Sequence, residues 1–282
     1  MPSGVRNTAG LDERVKMKYS IDHDLHIHSY LTPCAGHPPT QNAENILAYG
    51  KRMKMKELCI TDHFWDSENV PVMETSWFKN YNYPYVSKIL PFPEDSEVRL
   101  HLGCETDMDL LFNVGVSDKL YDKLEFIIVA TSHMHAPGWT VKSGKMSVSD
   151  RAALYMERNH RLLDMDLPFR KVGLAHFTCS LIVGECEGTS FEILDHISDG
   201  EYRELFDRAA SLGMGIELNM TFDEIRSESC LRPYRIAKEC GCRFYLGSDA
   251  HTLGGFDSAE RRFTAMIDAL ALTEDDKFRV FE

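Results

Sequence analysis

The chain has 282 residues, 43% of them hydrophobic, so it is long and apolar enough to fold around a substantial core. Its formal net charge is −13 and it contains no basic stripe, which argues against a nucleic-acid backbone as its main partner. The N-terminal residues 1–18 form no apolar segment, and the longest apolar run, at 126–130, is too short to span a bilayer. We therefore expect no membrane anchor, a cytoplasmic location and reduced cysteines.

Short apolar segments alternate with loops or helical patterns along the chain. The segments are YSIDHDLHIHS (19–29), ELCITDH (57–63), VRLHLGCETD (98–107), FIIVATSH (126–133), KVGLAH (171–176), GIELNM (215–220) and RFYLGSDAH (243–251). Helical patterns cover 42–53, 148–165, 201–213, 230–241 and 258–271, and the second of them has Ser149 or Asp150 as its expected N-cap. This alternation predicts an α/β fold with a parallel sheet, either doubly wound or closed as a barrel.

The stretch 64–93 interrupts the alternation. It is rich in aromatic residues and proline, and it is longer than an ordinary connection between a strand and a helix. We expect an insertion over one face of the protein, which makes it a candidate lid or substrate wall. No repeat or long linker divides the chain, so we expect a single domain over 1–282 with an N-terminal extension at 1–18.

All but one of the apolar segments end in residue types that bind metals. These residues are His26 and His28, Asp62 and His63, Glu105, His133, His176, and Asp249 and His251. The sixth segment, GIELNM, is the exception. Because the carboxyl ends of parallel strands meet at one edge of the sheet, we expect these side chains to converge there as a metal site.

The spacing within each segment indicates which side chains share a face. His26 and His28 are two residues apart and point the same way, and Asp249 and His251 repeat that arrangement on the last strand.

Two other segment ends are less clear. Asp62 and His63 are adjacent and face opposite ways, so we expect His63 to be the ligand and Asp62 to support it. His133 and His135 share a face, and either can be the ligand of the fourth segment.

In this order, DLHIHS (24–29), ITDH (60–63), a strand-end Glu, VATSH (129–133), LAH (174–176) and GSDAH (247–251) resemble the PHP (polymerase and histidinol phosphatase) superfamily over roughly 21–263. The resemblance implies a distorted, TIM-like, seven-stranded (βα)7 barrel with two or three metals at the C-terminal ends of the strands. It implies one metal held by His26, His28, Glu105 and Asp249, and a second held by Glu105, His133 and His176. A third would take His63, His251 and a residue of the loop after the first strand, where His37 is the only strong ligand type.

The resemblance further implies hydrolysis of a small phosphate monoester, as in histidinol-phosphate phosphatases, by a hydroxide shared between metals. Imidazoles outnumber carboxylates in the implied ligand set, which suits zinc, manganese or iron and favours a multiply charged oxyanion as substrate. Glu105 and Asp249 would act through the metals, and a metal-bound water, His135 or Asp62 could give the leaving alkoxide a proton. IELNMTFDEIR resembles a stretch of histidinol-phosphate phosphatases, which makes Arg226, together with His135, a candidate phosphate clamp.

Other functions remain open at this stage. They are a PHP phosphodiesterase or nucleotide phosphoesterase, an amidohydrolase-type enzyme, and a non-catalytic PHP module. The acidic balance favours a small phosphorylated substrate over nucleic acid or membrane, and nothing in the sequence indicates an oligomeric state.

Overall fold

A computed structural model describes residues 17–34 and 40–282. The strands in these ranges are β1 (His23–Ile27), β2 (Glu57–Ile60), β3 (His63–Phe64), β4 (Arg99–Leu102), β5 (Cys104–Asp107), β6 (Ile127–Ala130), β7 (Val172–Leu174), β8 (Gly215–Leu218) and β9 (Arg243–Leu246). The α-helices are α1 (Ala43–Met53), α2 (Tyr83–Val86), α3 (Val148–Leu163), α4 (Ser190–His196), α5 (Asp199–Leu212), α6 (Phe222–Ile225), α7 (Glu228–Glu239) and α8 (Ala259–Ala269). The predicted α/β fold with parallel strands is confirmed.

The strands form two parallel sheets, in the orders β1-β2-β4 and β3-β5-β6-β7-β8-β9. The predicted second and third strands are each interrupted, so that β2 is followed closely by β3, and β4 by β5. Backbone bonds cross the interruption from Gly103 N to Ile60 O at 2.9 Å and from Glu105 N to Asp62 O at 3.1 Å. Glycine is needed at 103 because a Cβ there would lie 2.5 Å from the carbonyl oxygen of Phe126. The two sheets are therefore joined through their interrupted strands.

The first and last strands also meet. The amide of Asp249 donates to the carbonyl of His26 at 2.8 Å, and the amide of His28 donates to the carbonyl of Ala250 at 3.1 Å. Over the described ranges, however, the strand pairing gives two sheets and no closed one. The seven-stranded closed barrel expected from the resemblance is thus not established by the strand pairing.

Helix boundaries follow local capping. The helix α3 begins at Val148 and is capped by Ser147, whose hydroxyl accepts from the amide of Asp150 at 3.1 Å. The sequence expectation of Ser149 or Asp150 as the cap was therefore wrong, because the Ser147 hydroxyl lies at the right distance from the first free amides.

An apolar cluster fills the space enclosed by the strands. It contains Leu25, Cys59, Phe126, Ile128 and Tyr245, together with Phe278 from the C-terminal segment. These side chains pack the interior, and the convergent polar residues lie at or near the carboxyl ends of the strands. None of the helices in the described ranges is long and apolar enough to cross a membrane.

Candidate metal centre

The strand-end residues converge as the sequence predicts. Three groups have ligand atoms within 4.8 Å of one another, and nearly all of their members are buried. The groups are His26, His28 and Asp249; His28, His63 and His251; and Glu105, His133 and His176.

The pair from the first strand forms one side of the centre. The Nε2 atoms of His26 and His28 lie 3.2 Å apart, and the Oδ1 atom of Asp249 lies 3.4 Å from the first and 3.1 Å from the second. Asp249 has a φ of 53°, in the left-handed region that Asp tolerates better than most residues. The last strand therefore turns sharply to bring its carboxylate to the two imidazoles.

Glu105 lies at the middle of the centre. Its Oε2 atom is 2.9 Å from His63 Nδ1 and 3.3 Å from His28 Nε2. Its Oε1 atom is 3.0 Å from His176 Nε2 and 3.9 Å from His133 Nε2. One carboxylate thus faces both groups of histidines, as the implied bridging role requires.

The arrangement of these nitrogen and oxygen atoms suits a bound divalent cation better than hydrogen bonding among the side chains themselves. Glu105 Oε2, Asp249 Oδ1 and His63 Nδ1 are all buried and have no hydrogen-bond partner of acceptable geometry. Burial alone would raise the pKa of the Glu105 carboxyl, but His63 and His26 hold it well below its usual range. Oε1 of Glu105 is hydrogen-bonded to His176 Nε2 at 3.0 Å, but a buried carboxylate oxygen left without a partner, such as Oε2, is costly unless a cation neutralises the site. Imidazole and carboxylate donors suit zinc and related transition metals.

Glu217 is a supporting residue that the sequence reading missed. It is fully buried on β8, its Oε1 accepts from His26 Nδ1 at 2.6 Å, and its Oε2 accepts from the amide of His176 at 2.5 Å. The sixth segment, described above as the exception, therefore does contribute to the centre, from the middle of its strand rather than from its end. The available signal was an acidic residue between Ile216 and Leu218 in an apolar strand.

The structure also distinguishes His133 from His135 as the candidate ligand of the fourth segment. Nδ1 of His133 donates to Asp107 Oδ1 at 2.6 Å, which leaves its Nε2 facing Glu105. His135 lies instead in the cavity wall, 5.5 Å from the ring of Trp77, and burial together with His133 lowers the pKa of its imidazole. This placement favours His133 as the ligand.

Asp62 lies behind His28. Its carboxylate accepts from the amide of Ser29 at 2.6 Å and from the Ser29 hydroxyl at 2.5 Å, and it lies 3.9 Å from His28 Nδ1. Burial raises the pKa of this carboxyl. The placement agrees with a supporting role for Asp62, and His63 points into the centre.

Cys34 is a second residue that the sequence reading missed. It lies in the loop after β1 and lines the cavity beside His63 and His251. Burial opposes the thiolate, but hydrogen bonds with His251 and His63 lower the pKa of the thiol to about 5. His37, the residue predicted for this place, lies outside the described residues.

The structure places Arg226 away from these groups. It follows α6, its side chain is 77% exposed, and its guanidinium lies 3.6 Å from Asp223. Arg262, in contrast, is hydrogen-bonded to residues next to the centre: it donates to Ser248 O at 2.9 Å and to Asn219 Oδ1 at 3.2 Å. Ser248 directly precedes the proposed ligand Asp249.

A cavity of about 610 Å³ opens onto the centre. Its lining includes Glu105, His133, Asp249 and His251, and another part of the wall is mainly aromatic. Trp77, Phe78 and Tyr81 of this wall come from the stretch 64–93.

Fold and site together are those of a parallel α/β protein with a buried cluster of histidines and carboxylates near the carboxyl ends of its strands. Neither protein-family models nor curated protein sequences give a match to this chain. Among solved structures it is similar to histidinol phosphate phosphatase from Lactococcus lactis, which was solved with zinc, L-histidinol and phosphate. The TM-score is 0.56 at 14% identity, over 92% of this chain and 98% of that one.

A putative histidinol phosphatase from Listeria monocytogenes is also similar. Its TM-score is 0.56 at 15% identity, over 86% of this chain and 99% of that one. The chain therefore has the fold of the PHP histidinol phosphate phosphatases, which confirms the resemblance found in the sequence.

Proposed function

We propose that the chain is an enzyme, a metal-dependent phosphatase that hydrolyses a small phosphate monoester. The observation that carries this proposal is the position of Glu105, whose Oε2 lies within 2.9 Å of His63 Nδ1 and 3.3 Å of His28 Nε2 without a hydrogen-bond partner. Donor atoms arranged in this way suit cations that bind phosphoryl oxygens. The fold shared with the Lactococcus phosphatase, solved with zinc and phosphate, supports the same function.

We infer that the three groups of residues would hold two or three divalent ions. His26, His28, Glu105 and Asp249 would hold one ion, and Glu105, His133 and His176 a second. His63 and His251 would hold a third, together with either Cys34 or His37. The zinc of the Lactococcus structure favours zinc here, with manganese and iron as the alternatives.

When bound, such ions supply a water that is deprotonated near neutral pH, and positive charge for the phosphoryl oxygens. The chain's own residues position the ligands and the substrate. Glu217 and Asp107 hold the rings of His26 and His133 through their Nδ1 atoms. Asp62 would fix the loop of Ser29 behind His28, and His135 would offer a ring nitrogen to substrate in the cavity.

We retain Arg226 as a proposed phosphate clamp, although its exposed side chain would have to turn from Asp223 towards the cavity. Arg262 is the competing candidate because it already bonds the residue before Asp249. Substituting each arginine by alanine and comparing inhibition by inorganic phosphate distinguishes the two.

We also propose that 1–282 forms one domain whose strands make a single distorted, interrupted barrel. The bonds of His28 and Asp249 between the first and last strands support it. In this proposal the stretch 64–93 is an insertion that roofs the cavity and favours a small monoester over a long diester. The N-terminal extension expected at 1–18 lies outside the described residues except for its last two. We further propose a cytoplasmic location, with all eight cysteines free thiols.

The test uses protein stripped of metal and reconstituted with zinc, manganese or iron. We expect hydrolysis of p-nitrophenyl phosphate, and we expect Glu105→Gln to reduce it to near background. The matched control is Glu57→Gln, another strand glutamate that accepts from a histidine, His101, at 2.6 Å but lies at the other end of the strands. Equal activity in the parent and Glu105→Gln, or turnover of a lactone without any phosphatase activity, would refute the proposal. Faster hydrolysis of bis(p-nitrophenyl) phosphate would indicate a diesterase.

A further inference from the structure

Four aromatic side chains form a part of the cavity wall beside the proposed metal ligands. The rings of Trp77 and Trp139 lie 5.4 Å apart, and Phe78 meets Trp139 edge to face at 5.3 Å. Tyr81 packs against Phe78 at 5.9 Å. The wall is held in place from behind, because Phe78 and Trp139 belong to one small buried cluster.

Trp77 differs from the other members of this wall. It is 56% exposed, whereas Phe78 and Trp139 are 6% and 2% exposed. Its ring reaches His135 at 5.5 Å on one side and Trp139 on the other, so it stands at the cavity wall with surface left uncovered. An exposed tryptophan that lines a cavity next to a catalytic centre is suited to cover an apolar group of a ligand.

The charges of the cavity restrict that ligand. Among the described residues that line it, none is lysine or arginine, and the only carboxylates are Glu105 and Asp249. Both carboxylates already face the histidine cluster. Among the described lining residues, no carboxylate is therefore left free to pair with an ammonium group, the Cys34 thiol is already engaged by His251 and His63, and no cationic side chain is left for a second anionic group.

The aromatic rings do not form a cage for a cation either. Phe78 is stacked on His63 with 4.0 Å between centroids and 12° between planes, so one of its faces is already covered. Its contact with Trp139 is edge to face. A cage needs several free faces directed at one point, whereas here Trp77 provides one partly exposed face.

Resting on the proposed phosphatase function, we propose that the substrate is a phosphate monoester whose alcohol carries an uncharged planar ring, which stacks on Trp77. In the reaction the oxygen of water bonds to phosphorus, the bond from phosphorus to the ester oxygen breaks, and the departing oxygen takes a proton to give the free alcohol and inorganic phosphate. An amino alcohol phosphate such as histidinol phosphate is disfavoured, because the described lining residues offer its ammonium group no carboxylate that is free of the histidine cluster. Trp77 is then the residue that determines specificity.

Binding of phosphonates to the zinc-loaded protein tests this independently of turnover. Titration calorimetry would compare phenylphosphonate with methylphosphonate and 2-aminoethylphosphonate, which share the oxyanion and differ only in the attached group. We expect phenylphosphonate to bind roughly tenfold more tightly than the other two, within the range known for stacking on aromatic side chains. Trp77→Ala should remove most of that ratio, and Trp77→Phe should restore part of it.

Phe191→Ala is the matched control, because Phe191 is an exposed aromatic residue of α4 that does not line the cavity. Equal or tighter binding of the methyl or aminoethyl compound would overturn the proposal, as would a loss of affinity for all three compounds alike in Trp77→Ala. If none of the compounds and no inorganic phosphate binds, the phosphatase function itself fails and the substrate proposal fails with it. Binding of all three without any ester hydrolysis would refute the phosphatase function separately.

Discussion

Replacing Glu217 by glutamine tests whether the carboxylates behind the histidines hold the metal centre together. Both oxygens of Glu217 accept hydrogen bonds, from His26 Nδ1 at 2.6 Å and from the amide of His176 at 2.5 Å. Glutamine has the same shape but only one accepting oxygen. Its NH2 group must therefore face a hydrogen-bond donor, either Nδ1 of His26 or the amide of His176.

Either orientation of the glutamine side chain disturbs a proposed ligand. If the NH2 group faces His26, the ring must shift its proton to Nε2, which removes the lone pair directed at the metal. If it faces the amide of His176, a buried N–H loses its partner, at a cost of about 1–3 kcal/mol. Losing such a partner typically lowers metal affinity by about 10- to 100-fold, which corresponds to roughly 1.4–2.7 kcal/mol.

Metal affinity would be measured by competition with a chromogenic chelator, and circular dichroism would establish that the variant is folded. Gly247→Ala should act in the same direction, because a Cβ at Gly247 would lie 2.0 Å from Glu217 Oε1 and would displace the carboxylate. Glu125→Gln is the control, since Glu125 accepts from His101 Nδ1 at the same 2.6 Å but far from the centre in the fold. Zinc affinity in Glu217→Gln within twofold of the parent would refute the reasoning, as would an equal loss in the control.

Three further predictions concern stability and accessibility. Arg158 is 1% exposed and donates to the carbonyls of Met108, Thr131 and Thr140 at 2.7–2.8 Å. Arg158→Met should therefore lower the free energy of urea unfolding by roughly 3 kcal/mol or more, whereas the exposed Arg161→Met on the same helix should cost less than about 1 kcal/mol. Burial disfavours the charge of Glu274, but hydrogen bonds from Lys277 and Ser20 lower its pKa to about 2. This stabilisation is present above the unfolded pKa of about 4.3 and is lost as the pH falls towards 2, so the Tm difference between the parent and Glu274→Gln should shrink across that window and not above it. Cys34 is exposed, whereas the other cysteines are buried or partly buried, so it should be the first thiol alkylated by iodoacetamide in metal-free protein. If its sulfur is a metal ligand, zinc should slow this alkylation roughly tenfold. An unchanged rate of labelling would exclude Cys34 as a ligand.

The sequence predicted the convergence of the ligands because each strand carries its own signal. The end of a parallel strand can be identified from its apolar pattern, and all such ends share one edge of the fold. The spacing of His26 and His28 and the choice of His63 over Asp62 required only the alternation of side chains along a strand. These expectations agree with the positions of the side chains in the structure.

What the sequence did not predict depends on contacts between distant segments. Glu217 supports His26 because β8 lies beside β9, whose following turn bonds to β1, and no local pattern reveals that neighbourhood. Cys34 reaches His63 through the conformation of a loop, which periodicity does not describe. Arg226 was selected from a short motif resemblance, and the orientation of α6, which fixes its direction, was not accessible from the sequence.

Several features of the centre are energetically unfavourable for the folded chain, and packing alone does not offset them. Glu105 and Glu217 are carboxylates that are only 1% and 0% exposed. His176 and Asp249 have φ values of 22° and 53°, which non-glycine residues adopt only at an energetic cost. Energetically unfavourable features of this kind are commonly found at functional sites. A bound cation would reduce the electrostatic cost of burying the carboxylates by neutralising their charge. The unfavourable features and the proposed metal ligands coincide, which is the physical reason to place the proposed activity at this edge of the fold.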